Sequence, residues 1–259
     1  MENAFKRKFG NPLVNYLGRY KEARHFFRDP IFIGGCGRSG TTLLLSILSA
    51  HPHVFAFPDE LSAVVKWNPS PDDPSRQIPA RLDRLYRDLL LRKVPAARQR
   101  WCEKTPRNVR YIDKILSYWP QAHFLHIVRD PRDVLTSRHP SKPGQYWVTP
   151  ERWVKDVRAG LAHQDNPRVF TLRYEELVSN FEHLLSEICL FLEEPVVPQI
   201  QNWHSHTTVT RNRAWSNPVN PLHAESIRKW EQPEHAARLA TILEFPGLVE
   251  LMNKIGYKS

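Results

Sequence analysis

The sequence predicts an α/β fold: three layers, α/β/α, with a central parallel sheet of about five strands and helices on both faces. Two observations predict it. From Pro30 onward, short apolar segments alternate with longer helical patterns, and strands joined through helices run parallel. The first apolar segment, Ile31-Phe32-Ile33, also enters a Gly-rich turn that opens directly onto a helical pattern. With 259 residues, 41% of them hydrophobic and 25% charged, the chain can bury a sizeable core and has an ordinary globular composition.

Residues 1–29 are basic and weakly amphipathic, with Leu13, Val14, Tyr16, Leu17, Phe26 and Phe27 among Lys and Arg. They read as a leading helix packed on the domain, or as a contact with a membrane surface; the short, broken apolar face favours packing. Strand Ile31–Gly35 follows, then a helix from Thr41 whose Leu43, Leu44, Ile47 and Leu48 share one face. His53–Phe57 is the second strand candidate, and Asn68–Pro79 reads as a Pro-rich loop. A helix is predicted from Arg81, a strand over Arg100–Glu103 and a helix from Asn108. Ala122-His123-Phe124-Leu125-His126-Ile127-Val128 reads as a buried strand. Asp130 is a good N-cap for the next helix, Pro131 suits its first position, and Asp133 complements its dipole. Helices from Pro150 and Tyr174 flank a last strand, Arg168–Leu172. The irregular stretches His139–Thr149 and Val196–Leu222 read as loops over a site, so residues 1–259 are taken as one domain with 1–29 as a lead-in.

A formal charge of +10 favours anionic partners. The basic residues form no run or known nucleic-acid module, which argues against a DNA or RNA binder. Cys36, Cys102 and Cys189 are an odd, scattered set that suits a reducing compartment. No run is long enough to span a membrane and no signal-peptide core follows Met1, so a cytoplasmic location is expected. His51 and His53 lack a second ligand pair at useful spacing, so no metal site is expected.

The turn Gly34-Gly35-Cys36-Gly37-Arg38-Ser39-Gly40-Thr41-Thr42 is P-loop-like. Gly35 and Gly40 have the spacing of the glycines in G-x-x-x-x-G-K-[ST], but Thr41 stands where a nucleotide triphosphatase has Lys. That argues against an ATP- and magnesium-dependent kinase. Ser39, Thr41 and Thr42 add hydroxyls to the amides of a helix N-terminus, and Arg38 is the one cation in the turn. A second anion site is predicted where the Ala122–Val128 strand ends. Arg129 stands at its C-terminal end, and Ser137, two helical turns on, can converge with it on one anion, with Arg132 and Arg138 nearby.

Together these segments resemble the PAPS-dependent sulfotransferases, and most closely their bacterial, tyrosylprotein and carbohydrate branches. The first resembles the family's 5′-phosphosulfate loop and Arg129 to Ser137 its 3′-phosphate motif. Glu103-Lys104-Thr105-Pro106-Arg107-Asn108, Arg173-Tyr174-Glu175-Glu176-Leu177 and Ser226-Ile227-Arg228-Lys229-Trp230 resemble three further elements. The likeness runs from about Pro30 to about Trp230.

The resemblance implies PAPS as sulfuryl donor, PAP as product, no metal, and a hydroxyl-bearing acceptor: a carbohydrate, glycolipid or small metabolite, or, in the tyrosylprotein branch, a peptide. Arg38 and Lys104 would hold the transferring group, with Gly37, Ser39, Gly40, Thr41 and Thr42 around the 5′-phosphate. Arg129 and Ser137 would bind the 3′-phosphate, and Tyr174 and Lys229 would complete the nucleotide site. The carboxylate base falls on Glu60 or Asp59: counting from Arg38 points to Asp59, and a one-residue shift at Pro58 points to Glu60. Either could instead cap a helix starting at Leu61. Arg211 falls near the place of the tyrosylprotein branch's late catalytic Ser, which weighs against a peptide acceptor. Trp101, Trp147, Trp153, Trp203 and Trp215 read mainly as core or loop anchors.

Overall fold

The computed structural model describes residues 11–139, 141–210, 222 and 226–258. Arg211, Trp215 and the first ten residues of the basic lead-in lie outside them.

Helix α1 (Asn11–His25) leads into β1 (Ile31–Gly35), then α2 (Thr41–Ser49) and β2 (Val54–Ala56). A two-stranded antiparallel hairpin, β3 (Trp67–Pro69) and β4 (Gln77–Pro79), precedes α3 (Leu82–Leu91). Then come β5 (Arg100–Lys104), a 3-10 turn (Pro106–Tyr111), α4 (Ile112–Tyr118), β6 (His123–Val128) and α5 (Pro131–Leu135). The chain continues through α6 (Pro150–Leu161), β7 (Val169–Arg173), α7 (Tyr174–Ser179) and α8 (Phe181–Phe191). Single helical turns at Pro198–Gln201 and Trp203–His206 follow, and α9 (Ala236–Leu243) and α10 (Leu248–Lys254) come last.

The five-stranded sheet has the order β2-β5-β1-β6-β7, and every neighbouring pair is parallel. β1 is therefore central, and both of its neighbours, β5 and β6, come later in the chain and pair on its two edges. The loops that leave β1, β5 and β6 share one end of the sheet, the crevice where parallel sheets hold ligands. Ile31 and Ile33 pack on one side with Leu44, Ile127 and Ile188. Phe32 packs on the other with Trp101, whose ring meets it edge-on at 5.2 Å, and with Leu85 and Ile115. This alternation covers both faces with helices and fixes the register.

Three local expectations are corrected. Residues 67–79 are a hairpin and not only a loop; Pro69 and Pro79 stand at strand ends, where a missing N–H costs least. The helix expected from Asn108 begins as a 3-10 turn at Pro106 and becomes α-helical at Ile112. No helix starts at Leu61, so neither Asp59 nor Glu60 is a cap there.

Candidate active site

The β1–α2 turn is buried apart from Arg38 and Gly40, which are half-buried. Gly40 has φ 94°, and a Cβ there would lie 2.4 Å from Tyr174 Cδ2, so the position needs glycine on both counts. Arg38 also lies in the left-handed region, at φ 72°. It is held there by Arg129, whose Nη1 donates to the Arg38 carbonyl at 3.1 Å. Burial, and then the Arg129 charge, push the Arg38 guanidinium below its ordinary value. An anion between the two would relieve both. Arg38 Nε and Ser39 Oγ are buried without hydrogen-bond partners. Thr41 and Thr42 begin α2, both buried, and Gly37 lies beside Arg152 and Trp147.

Arg129 leaves the end of β6 as the sequence predicts, and Asp130 caps α5 by accepting from the Arg132 amide at 2.8 Å. The Arg129 guanidinium lies 4.4 Å over the Tyr174 ring, and its Nη2 donates to the Ser226 carbonyl. Its Nε is buried without a partner. Tyr174, at the start of α7, shares a 2.5 Å hydrogen bond between its hydroxyl and Ser226 Oγ. Asp133 ties this corner together. Its carboxylate accepts from the Arg228 amide at 3.0 Å and the Trp230 amide at 3.2 Å, and lies 3.4 Å from Arg129 Nη2. Ser137 Oγ donates to the Asp133 carbonyl at 2.8 Å. Lys229 is exposed on the short turn that Asp133 holds. Arg132 pairs with Asp130 and stacks on Trp230, while Arg138 stacks on Tyr146, so both are engaged elsewhere.

Lys104, at the end of β5, is fully buried. Its ammonium donates to Thr42 Oγ1 at 3.1 Å and to Glu60 Oε1 at 2.7 Å. Asp59 instead faces Arg92 at 3.6 Å with its side chain 55% exposed. Behind Lys104, burial pushes the Glu103 carboxyl above its usual range, and Thr105 Oγ1 and Asn108 Nδ2 each donate to it at 2.6 Å. Asn108 Nδ2 also reaches the Ile33 carbonyl at 3.4 Å, which joins β5 to β1 beneath the loop.

Arg38, Gly40, Arg129, Tyr174 and Ser226 thus form one cluster, and Thr42, Lys104 and Glu60 another, on opposite sides of the same turn. A family model described as the sulfotransferase family matches residues 30–198. The chain belongs to the sulfotransferase family. Its relatives include an uncharacterised Aquifex aeolicus protein, 24% identical over 83% of this chain. A Drosophila melanogaster protein-tyrosine sulfotransferase is 24% identical over 77% of it. The chain spans only 32% and 46% of those two proteins. Among solved structures, the sulfotransferase domain of the Synechococcus PCC 7002 olefin synthase superposes with a TM-score of 0.66 at 19% identity, covering 90% of this chain and 97% of that one. A mouse sulfotransferase complexed with PAP gives 0.53 at 17%, covering 86% and 84%. Both likenesses are of fold.

Sequence reasoning missed the linking role of Asp133, which it read only as a dipole partner. It also found no partner for His51 and His53. Glu194 supplies one: the three side chains place ligand atoms within 4.8 Å of one another. His51 Nε2 bonds the Pro195 carbonyl and its Nδ1 accepts from the His53 amide, while Glu194 also pairs with Arg28 and Arg100. The cluster is an ion-pair network whose arginines offset the charge that would draw a cation.

Proposed function

We propose that this sulfotransferase moves a sulfuryl group from PAPS to the hydroxyl of a carbohydrate, glycolipid or small metabolite, leaving PAP. The observation that carries the reading is the set of buried, unpartnered donors on the turn and beside it: Arg38 Nε, Ser39 Oγ and Arg129 Nε. Buried donors are rarely left unpaired; two of these three lie on the loop itself, and Arg129 reaches it from the end of β6. Such a site fits a nucleotide with two separate anionic ends.

In this reading the amides of residues 38–42, with Ser39, Thr41 and Thr42, hold the 5′ end. Arg129 and Ser137 hold the 3′-phosphate, and Tyr174 and Lys229 border the nucleoside. Bound PAPS supplies an activated sulfuryl group with a phosphate leaving group. Arg38 and Lys104 place positive charge where negative charge spreads over the transferring oxygens, in a site closed enough for that charge to count. Glu60 takes the acceptor proton, and its 2.7 Å contact with Lys104 keeps it aimed at the turn. Asp59, on Arg92, is left outside this arrangement. A peptide tyrosine is the second reading of the acceptor, supported by the likeness to the Drosophila protein.

Calorimetric titration with PAP, ATP–magnesium and an oligonucleotide tests the donor site: PAP should bind and the others should not. Absence of PAP binding would refute the proposal. Label transfer from PAPS to a panel of sugars, lipids, phenols and tyrosine peptides then identifies the acceptor.

A further inference from the structure

We propose that α1 docks this protein on an anionic lipid surface. One side of the helix is fastened to the domain. Gly18 lies so close to α3 that a Cβ would come within 2.2 Å of Tyr86 Cβ. Glu22 accepts from the Tyr86 hydroxyl at 2.7 Å and from Trp101 Nε1 at 2.6 Å. Lys21 Nζ donates to the Leu89 and Arg92 carbonyls at 2.9 and 2.7 Å.

The opposite side is bare. Leu13, Tyr16, Leu17 and Tyr20 are 59, 71, 43 and 63% exposed and follow the i, i+3, i+4, i+7 spacing of one helical face. Phe27, just past the helix, is 75% exposed. Five of the eight exposed large hydrophobic side chains among the described residues therefore fall between positions 13 and 27. Scattered apolar exposure is ordinary; a contiguous stripe marks a surface that is covered.

Charge selects the occupant. Glu22 is the single acid of the helix and is turned inward, whereas Arg24 is exposed beside the stripe and Arg19, also exposed, donates from Nη2 to the Tyr118 hydroxyl at 3.0 Å. Lys6, Arg7 and Lys8 precede the helix in sequence, and the whole chain carries +10. A second copy would bring like charges together at such a face. An anionic bilayer offers apolar depth for the leucines, an interface for the tyrosines and negative headgroups for the arginines. No helix among the described residues is long and apolar enough to cross a membrane, so the contact lies on the surface.

The test is co-sedimentation of the full chain with phosphatidylcholine vesicles, with and without phosphatidylserine. Binding should require phosphatidylserine and fall steeply when salt is raised to about 1 M. The double variant Tyr16→Ser/Leu17→Ser should bind at least about tenfold more weakly, with melting temperature and PAP titration unchanged. The proposal is overturned if the full chain ignores both vesicles, or if the double variant binds them as well as the parent does. It is equally overturned if light scattering finds a dimer that the substitutions dissociate.

Discussion

Replacing Arg129 with Ala should weaken PAP binding much more than 5′-AMP binding. The guanidinium does two separable things. It supports the turn, through its bond to the Arg38 carbonyl at 3.1 Å and its place 4.4 Å over Tyr174, and both ligands lose that support. A neutral-acceptor hydrogen bond of about 1 kcal/mol and a partly buried cation–π contact of similar size set the shared loss at roughly 30-fold at most. The charge facing a 3′-phosphate matters for PAP alone. A charge-assisted hydrogen bond contributes about 1.5–3 kcal/mol, or a further 10- to 150-fold at about 1.4 kcal/mol per decade. Paired calorimetric titrations of both nucleotides against parent and variant give the two numbers, and their ratio is the readout. Arg129→Lys should fall between, because it keeps the charge and loses the planar fork. Equal losses for PAP and 5′-AMP would refute the 3′-phosphate assignment.

Glu60→Gln should lower transfer by about 10²–10⁴-fold while PAP affinity holds, and Asp59→Asn should stay within a few-fold; label transfer from PAPS checks both, and the reverse order would move the base to Asp59. Gly40→Ala should cost roughly 2–4 kcal/mol of stability and most nucleotide affinity, because φ 94° and the 2.4 Å approach to Tyr174 both oppose a Cβ; melting and PAP titration measure it. Burial pushes His126 down to about 3, and burial followed by the charges of Arg100 and Arg168 takes His123 to about 4, from 6.5. Both are neutral in the fold and take up protons more readily unfolded. Their contribution is therefore complete above about pH 6.5 and is lost as pH falls toward 4 and 3. Urea unfolding should show roughly 2–3 kcal/mol less stability at about pH 5 than at about pH 7, and His126→Gln should flatten that slope.

The fold was legible because its signals are local. Apolar runs of strand length, Gly at the first turn and Asp130-Pro131 at a helix start each act within a few residues, and all five strands appear close to where they were read. The parts of the site that were not legible depend on contacts between distant residues. Asp133 reaches amides 95 and 97 positions on, and Glu194 reaches His53 across 141, separations that no periodicity encodes. Asp59 and Glu60 could not be separated by counting, because the direction of each side chain is set by the turn after Pro58 and by which cation stands nearby. The hairpin at 67–79 was hidden by its prolines, whose cost vanishes at strand ends.

The order in which the site's parts occur along the chain has a consequence for biosynthesis. The turn at 35–40, Arg129 and Tyr174 are all translated before Ser226, and the segment that Asp133 clasps at Arg228 and Trp230 comes later than every strand of the sheet. A nascent chain can pair all five strands while the corner around Arg129 and Tyr174 still lacks one wall. On the proposed reading, a nucleotide present during synthesis would meet the completed corner only after that last wall has left the ribosome, so it would reward completion of the fold but would not template the sheet. A stop codon just after residue 198 would leave every strand in place and remove the wall.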